Sequence, residues 1–155
     1  MSPQPTGAAL AEMTARATDL AGRYCDAVLR ADPVRFGRTW SAEAEWVVPG
    51  RVVSGREEIV ERFTAMVPAF VLCVQELLSG TVRPVDDRRA EATWQVRELQ
   101  WRADGTQREL LGVYDDELVV GADGVARFAR HTFQLVYDGP VELPGRVHVR
   151  RGPSG

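Results

Sequence analysis

The chain has 155 residues, 45% of them hydrophobic and 26% charged, enough for one domain whose core needs no disulfide or metal to hold it. Its net charge of -3 is spread over interspersed acids and bases, which excludes the basic footprint of a nucleic-acid or anionic-membrane binder. No apolar run reaches membrane-spanning length and no basic-then-apolar signal pattern is present, so a cytoplasmic protein is expected.

Residues 1–8 read as a disordered leader containing Pro3, Pro5 and Gly7. Leu10, Met13, Ala17, Leu20, Tyr24, Val28 and Ala31 then recur at three- and four-residue spacing, which predicts an amphipathic helix over about 9–31. Asp32-Pro33 ends it and opens a short second helix, with Asp32 as N-cap, Pro33 as first residue, and Phe36 and Trp40 on one face. A strand through Ala44, Trp46 and Val48 closes at Pro49-Gly50. Ser54-Gly55-Arg56-Glu57 fits a capping box, opening a third helix with the stripe Ile59, Val60, Phe63, Met66 and Val67. After Pro68 come four strands, at about 70–83, 89–102, 107–119 and 125–137, with Asp86-Asp87, Asp104-Gly105 and Asp123-Gly124 marking the turns. The folded unit is then 9–138. Residues 139–155, with Pro140, Pro144 and Pro153, read as a tail whose Arg146, Arg150 and Arg151 form a solvated end.

Helices first and a run of strands afterwards argue for an α+β fold: a curved antiparallel sheet forming a cone, with about three helices packed on its concave face. Strand 70–83 is apolar on both sides, with Phe70, Leu72 and Val74 on one and Val71, Cys73 and Leu77 on the other. Such a strand needs two covers. The helices supply one, and a second subunit is expected to supply the other, giving a homodimer; a tail folded back over the sheet is the alternative. Cys25 and Cys73 read as small buried hydrophobes in a reducing compartment, and no residues show metal-ligand spacing, so neither metal nor cofactor is expected.

The residue that points to chemistry is Glu98. In its strand Ala90, Ala92, Trp94, Val96 and Glu98 share a face. A glutamate ending an apolar row is costly to bury unless it is paired, protonated or used. On the next strand Leu111, Val113 and Asp115 share one face, while Tyr114 and Asp116 look the other way. Acids and indoles on one wall suggest a lined pocket; the plainer alternative has Glu98 at the sheet rim, paired with Arg97 or Arg108. His131 shares a face with Phe133 and Leu135 and is either a satisfied core histidine or a partner for Glu98, since His148 lies in the tail. One of Asp115 and Asp116 is expected to pair with Arg130 or anchor a turn, and Gly112 to mark a bulge or close packing beneath a helix.

Three stretches carry a family resemblance: Arg23-Tyr24 through Asp32; Ala44-Glu45-Trp46-Val47-Val48-Pro49-Gly50 with Ser54 to Ile59; and Trp94 to Glu98, Gly112 to Asp116 and Arg127 to Phe133. Over about 15–138 the chain resembles the SnoaL-like branch of the nuclear transport factor two-like superfamily. The resemblance implies a cone-shaped α+β fold and a small hydrophobic molecule held in an internal cavity, but it spans dehydratases, isomerases, cyclases and plain binders. Members of the dehydratase and isomerase type carry a Tyr on the first helix, an Asp five residues on and a His on the first long strand. Tyr24 matches the first, Leu29 stands at the second, and Gln75 or Glu76 stands at the third. Two readings follow. Either the protein is a cofactor-free cyclase, dehydratase or isomerase acting on a hydrophobic oxygenated ring or polyketide-like substrate, with Glu98, His131 and Tyr24 as its catalytic groups. Or it binds or shapes such a molecule without proton transfer. In both, Leu29, Trp40, Trp46, Met66, Trp94, Val96, Val113, Tyr114 and Asp115 are the expected binding wall.

Overall fold

The computed structural model describes residues 6–148; Pro3 and Pro5 of the leader and Arg150, Arg151 and Pro153 of the tail lie outside the described residues. Helix α1 (Gly7–Arg30) starts at Thr6, whose hydroxyl accepts the Ala9 N–H at 3.3 Å. Its buried side chains are Met13, Ala17, Leu20, Ala21, Tyr24 and Ala27, the stripe that the spacing predicts. The helix stops at Ala31, which takes the left-handed conformation (φ 53°, ψ 44°) and returns its N–H to the last turn. Among the described residues it is the one non-glycine with positive φ. That conformation costs an L residue on the order of 1 kcal/mol. Ala31→Gly is therefore expected to stabilise the fold by about 0.5–1 kcal/mol, read as a higher urea midpoint at unchanged m-value; an unchanged or lower midpoint would contradict it.

Helix α2 (Pro33–Gly37) is capped as its sequence implies, with Asp32 Oδ1 accepting the Val34 and Arg35 N–H groups at 3.0 Å each. Trp40 is not on this helix. The last strand captures the chain first, through Phe128 N–H donating to Thr39 C=O at 2.8 Å, and Trp40 opens β1 (Trp40–Val48). A strand absent from the sequence reading follows, β2 (Arg51–Ser54), which turns back through Gly50 at φ 76° to pair with β1. Because Ser54 ends that strand, the expected capping box does not form. Gly55 is the N-cap of α3 (Arg56–Met66) and contributes no side-chain hydrogen bond.

A short 3-10 turn over Val67–Ala69 leads into β3 (Phe70–Pro84), β4 (Arg89–Arg102), β5 (Gln107–Val120) and β6 (Ala126–Pro140). These four form the expected antiparallel meander. The sheet order is β2-β1-β6-β5-β4-β3, and the β1–β6 pair is parallel, so the sheet is mixed rather than purely antiparallel. It is curved and open, with β2 and β3 as its edges and α1 packed chiefly on β3. Bulges between Leu77 and Ser79, Leu111 and Gly112, and Glu117 and Leu118 help bend it.

Register decides what faces the helices. Glu98 is paired with Gln75 on one side and Leu110 on the other, Trp94 with Tyr114, and Asp116 with His131. The inner row of β5 is thus Leu110, Gly112, Tyr114 and Asp116, while Val113 and Asp115 lie on the outer face. Two glycines make room for rings on this inner wall. A Cβ on Gly80 would sit 2.2 Å from the Trp94 ring and one on Gly112 2.2 Å from the Phe133 ring, both also within 2.7 Å of backbone oxygen.

Candidate functional site

Between the sheet and the helices lies a cavity of about 190 Å³. The C-terminal half of α1 contributes Tyr24, Val28 and Leu29 to its wall, α3 contributes Phe63 and Met66, and β1 contributes Trp46 and Val48. The sheet adds Leu110, Tyr114 and Phe133, and one compact polar patch: Cys73, Gln75, Glu98 and Gln100. That patch is a consequence of register. Cys73 is opposite Gln100 and Gln75 opposite Glu98 on adjacent strands, so four polar side chains project together from the inner face.

Glu98 is held by donors. Gln75 Nε2 donates to its Oε2 at 2.9 Å and Gln100 Nε2 donates to its Oε1, with the Cys73 thiol beside them in the same patch. Neither arginine anticipated as its partner reaches it. Arg97 is engaged with Glu109 and Glu76 on the outer face, and Arg108 with Asp138.

Two phenols share the cavity. The rings of Tyr24 and Tyr114 meet edge to face at 6.1 Å, and among the described residues neither hydroxyl has a hydrogen-bond partner. Burial pushes both hydroxyls well above the ordinary tyrosine range, and the charge of Glu98 adds to the push. They are therefore protonated donors at neutral pH. Burial, with Glu98 second, also raises the Cys73 thiol well above its usual value and the Cys25 thiol from 9.0 to about 12. A folded-state value above the unfolded one favours the fold below the unfolded value, and the advantage disappears as pH rises through the folded one. Stability is accordingly expected to decline between about pH 9 and 12, with Cys25→Ala flattening the decline; a flat urea midpoint over that window in the parent would contradict it.

His131 does not reach this cavity. Its ring is 1% exposed and lies behind the two tyrosines, 4.6 Å from the Tyr24 ring and 4.4 Å from that of Tyr114. Its Nδ1 is 2.5 Å from Asp116 Oδ1, so the partner of His131 is an equally buried aspartate rather than Glu98. His131 Nε2, Asp116 Oδ2 and Trp40 Nε1 have no further partner among the described residues.

The remaining anticipated residues divide cleanly. Tyr24, Leu29, Trp46, Met66, Glu98 and Tyr114 line the cavity. Trp40 and Val96 are core, 0% and 1% exposed, and do not line it. Trp94 is on the inner face as expected, but its ring packs against Gly80 and does not line the cavity. Val113 and Asp115 are on the outer face, where Asp115 accepts from Thr93 and Gln134. Arg130 pairs with Glu45 at 2.9 Å, not with either aspartate. Gly112 does stand at a bulge, and the close packing there is with Phe133 rather than a helix. The sequence reading missed Cys73 as a wall residue, Gln100 and Phe133. Gln100 was accessible from the same alternation that placed Glu98, two residues away.

No helix among the described residues is long and apolar enough to cross a membrane. A family model described as a SnoaL-like domain matches residues 10–132. No curated protein matches the chain in sequence. Among solved structures, the chain is similar to the hexachlorocyclohexane dehydrochlorinase LinA-type3 from Novosphingobium barchaimii (TM-score 0.80, 19% identity, covering 92% of this chain and 99% of that one). It is similar as well to a candidate scytalone dehydratase from Novosphingobium aromaticivorans (TM-score 0.81, 13% identity, 96% and 100%). A third similar structure is a nuclear transport factor 2-like superfamily protein from Salmonella enterica (TM-score 0.69, 18% identity, 84% and 92%). At these identities the likeness speaks for the fold.

Proposed function

This chain belongs to the SnoaL-like family, and from that premise we propose that its cavity is the active site of a cofactor-free enzyme moving a proton on a hydrophobic, oxygenated ring. The observation that carries the proposal is that one carboxylate and two unpartnered phenols line a single apolar cavity. Glu98 takes a proton from the carbon beside a carbonyl, and Tyr24 and Tyr114 donate hydrogen bonds to the carbonyl oxygen as it gains charge. Leu29 cannot carry a proton, so the acid/base work that the family resemblance assigns to that helix passes to the sheet wall. Two structural neighbours bear the names of eliminating enzymes, a dehydrochlorinase and a candidate dehydratase, and loss of a proton from carbon is a step such eliminations share. Dehydration and isomerisation are thus favoured over hydrolysis.

Size narrows the substrate. A cavity of about 150 Å³ accepts one benzene ring, so 190 Å³ suits a single substituted ring. A test that needs no natural substrate is the exchange of the carbon-bound protons beside the carbonyl of cyclohex-2-enone in deuterated water, followed by NMR. Exchange above the buffer rate is the expected result. The second reading, binding without proton transfer, is favoured by the apolar face of Leu29, Trp46 and Met66 opposite a single polar patch. It would be supported by a raised melting temperature and altered tryptophan fluorescence with cyclohexenone but no exchange.

We also propose that a second copy covers the outer sheet face, where Leu78, Val136 and Tyr137 remain exposed, in a cytoplasmic setting suited to two free thiols. Sedimentation showing only a 17.1 kDa species at micromolar concentration would reject the dimer.

A further inference from the structure

The two ends of a glutamine amide are alike in shape, so its orientation must come from its neighbours. At Gln100 the neighbour is decisive. Arg102 has donors only, and its Nε and Nη2 lie 3.1 and 2.9 Å from Gln100 Oε1. The amide nitrogen is thereby turned toward Glu98. Arg102 is itself held in place: its guanidinium lies over the Phe70 ring at 5.7 Å, and its backbone N–H donates to Thr106 C=O at 2.9 Å in the β4–β5 turn. Gln100 is 6% exposed, so its oxygen has no ready access to water in place of the arginine.

We propose that Arg102 is a positioning residue for Glu98, acting through Gln100: it locks the amide as a donor, so that both carboxylate oxygens accept and Glu98 stands ready as a base. Arg102 touches neither the cavity nor Glu98. It supplies orientation and a positive charge one amide away, and the polarised amide is the stronger donor for it. Gln75 donates to the other carboxylate oxygen, but its own Oε1 has no partner, so of the two amides Gln100 is the one whose orientation is fixed. The other titratable groups around Glu98 are Tyr24 and Cys25 from α1, Cys73 from β3 and Tyr114 from β5, and all four are neutral at neutral pH. Arg102 is thus the cation tied to this cluster. The inference rests on Glu98 being the proton-transfer group, but its structural half can be tested separately.

The experiment compares the parent with Arg102→Met and Arg102→Lys. The first readout is the side-chain amide NMR signal of Gln100, whose proton donated to Glu98 is expected at unusually low field in the parent. In Arg102→Met it should move to the position of a free glutamine amide, and in Arg102→Lys part of the way. The second readout is the rate of cyclohexenone exchange, whose kcat should fall about tenfold in Arg102→Met at a nearly unchanged KM, with Arg102→Lys between the two. A Gln100 signal that stays at its parent position in either variant overturns the relay. If the parent catalyses no exchange, the enzymatic reading fails, and the NMR signal still decides whether Arg102 orients the amide. Should Arg102→Met not fold, the lysine variant decides by the same signal.

Discussion

His131→Ala is expected to destabilise the fold by about 3–5 kcal/mol, a large part of the 5–15 kcal/mol that holds an ordinary domain together. The imidazole is the partner that Asp116 has at that depth, 2.5 Å away, and both side chains are 1% exposed. Truncation leaves the carboxyl group buried and unpaired. It also opens a void among Tyr24, Tyr114 and Phe128, whose rings lie within 4.6 Å of the imidazole ring centre. Replacing both partners by apolar residues of similar shape, His131→Phe with Asp116→Leu, should recover most of the loss, because the penalty belongs to the orphaned group and not to the pair. Urea unfolding of the two variants measures this directly. A loss below about 1 kcal/mol in His131→Ala would show that the pair contributes little. The sequence expectation that this substitution reports on activity is replaced by one in which it reports on folding.

Glu98→Gln is expected to lower proton exchange by about a hundredfold or more while leaving the fold and cyclohexenone binding intact. The amide at position 98 cannot take a proton from carbon. It can still be accommodated. Gln100, pinned by Arg102, keeps donating to the remaining oxygen. Gln75, whose Oε1 has no partner, is free to turn and accept from the new N–H group. This tolerance separates loss of chemistry from loss of structure, since melting temperature and ligand-induced stabilisation should stay near the parent values. Undiminished exchange in Glu98→Gln would assign the proton transfer elsewhere in the cavity. An unfolded product would instead make Glu98 a structural group.

Much of the architecture is a matter of local chemistry and was legible in the residues themselves. The spacing from Leu10 to Val28 needs only a helix with one face covered, Asp32-Pro33 only a cap and a fixed φ, and the paired Asp and Gly signals only tight turns. Alternation placed Glu98 at the end of an inward row, because two-residue periodicity does not depend on the neighbouring strand. What the other strands supply was decided by the tertiary structure alone. On β5, Leu111-Val113-Asp115 and Leu110-Gly112-Tyr114 are each plausible inner rows, and only pairing with β4, Trp94 opposite Tyr114, turns the second one inward. Whether Trp94 lines a cavity or fills the core depends on Gly80 of β3, fourteen residues earlier, leaving space for the ring. The four-residue strand β2 is too short to show periodicity, and the parallel pairing of β1 with β6 joins segments about 85 residues apart, as the Arg130–Glu45 ion pair shows. The partners of Glu98 and His131 were beyond the sequence for the same reason. Residue types along one strand state what must be satisfied if buried, and only the register of the adjoining strands brings Gln75 to Glu98 and Asp116 to His131.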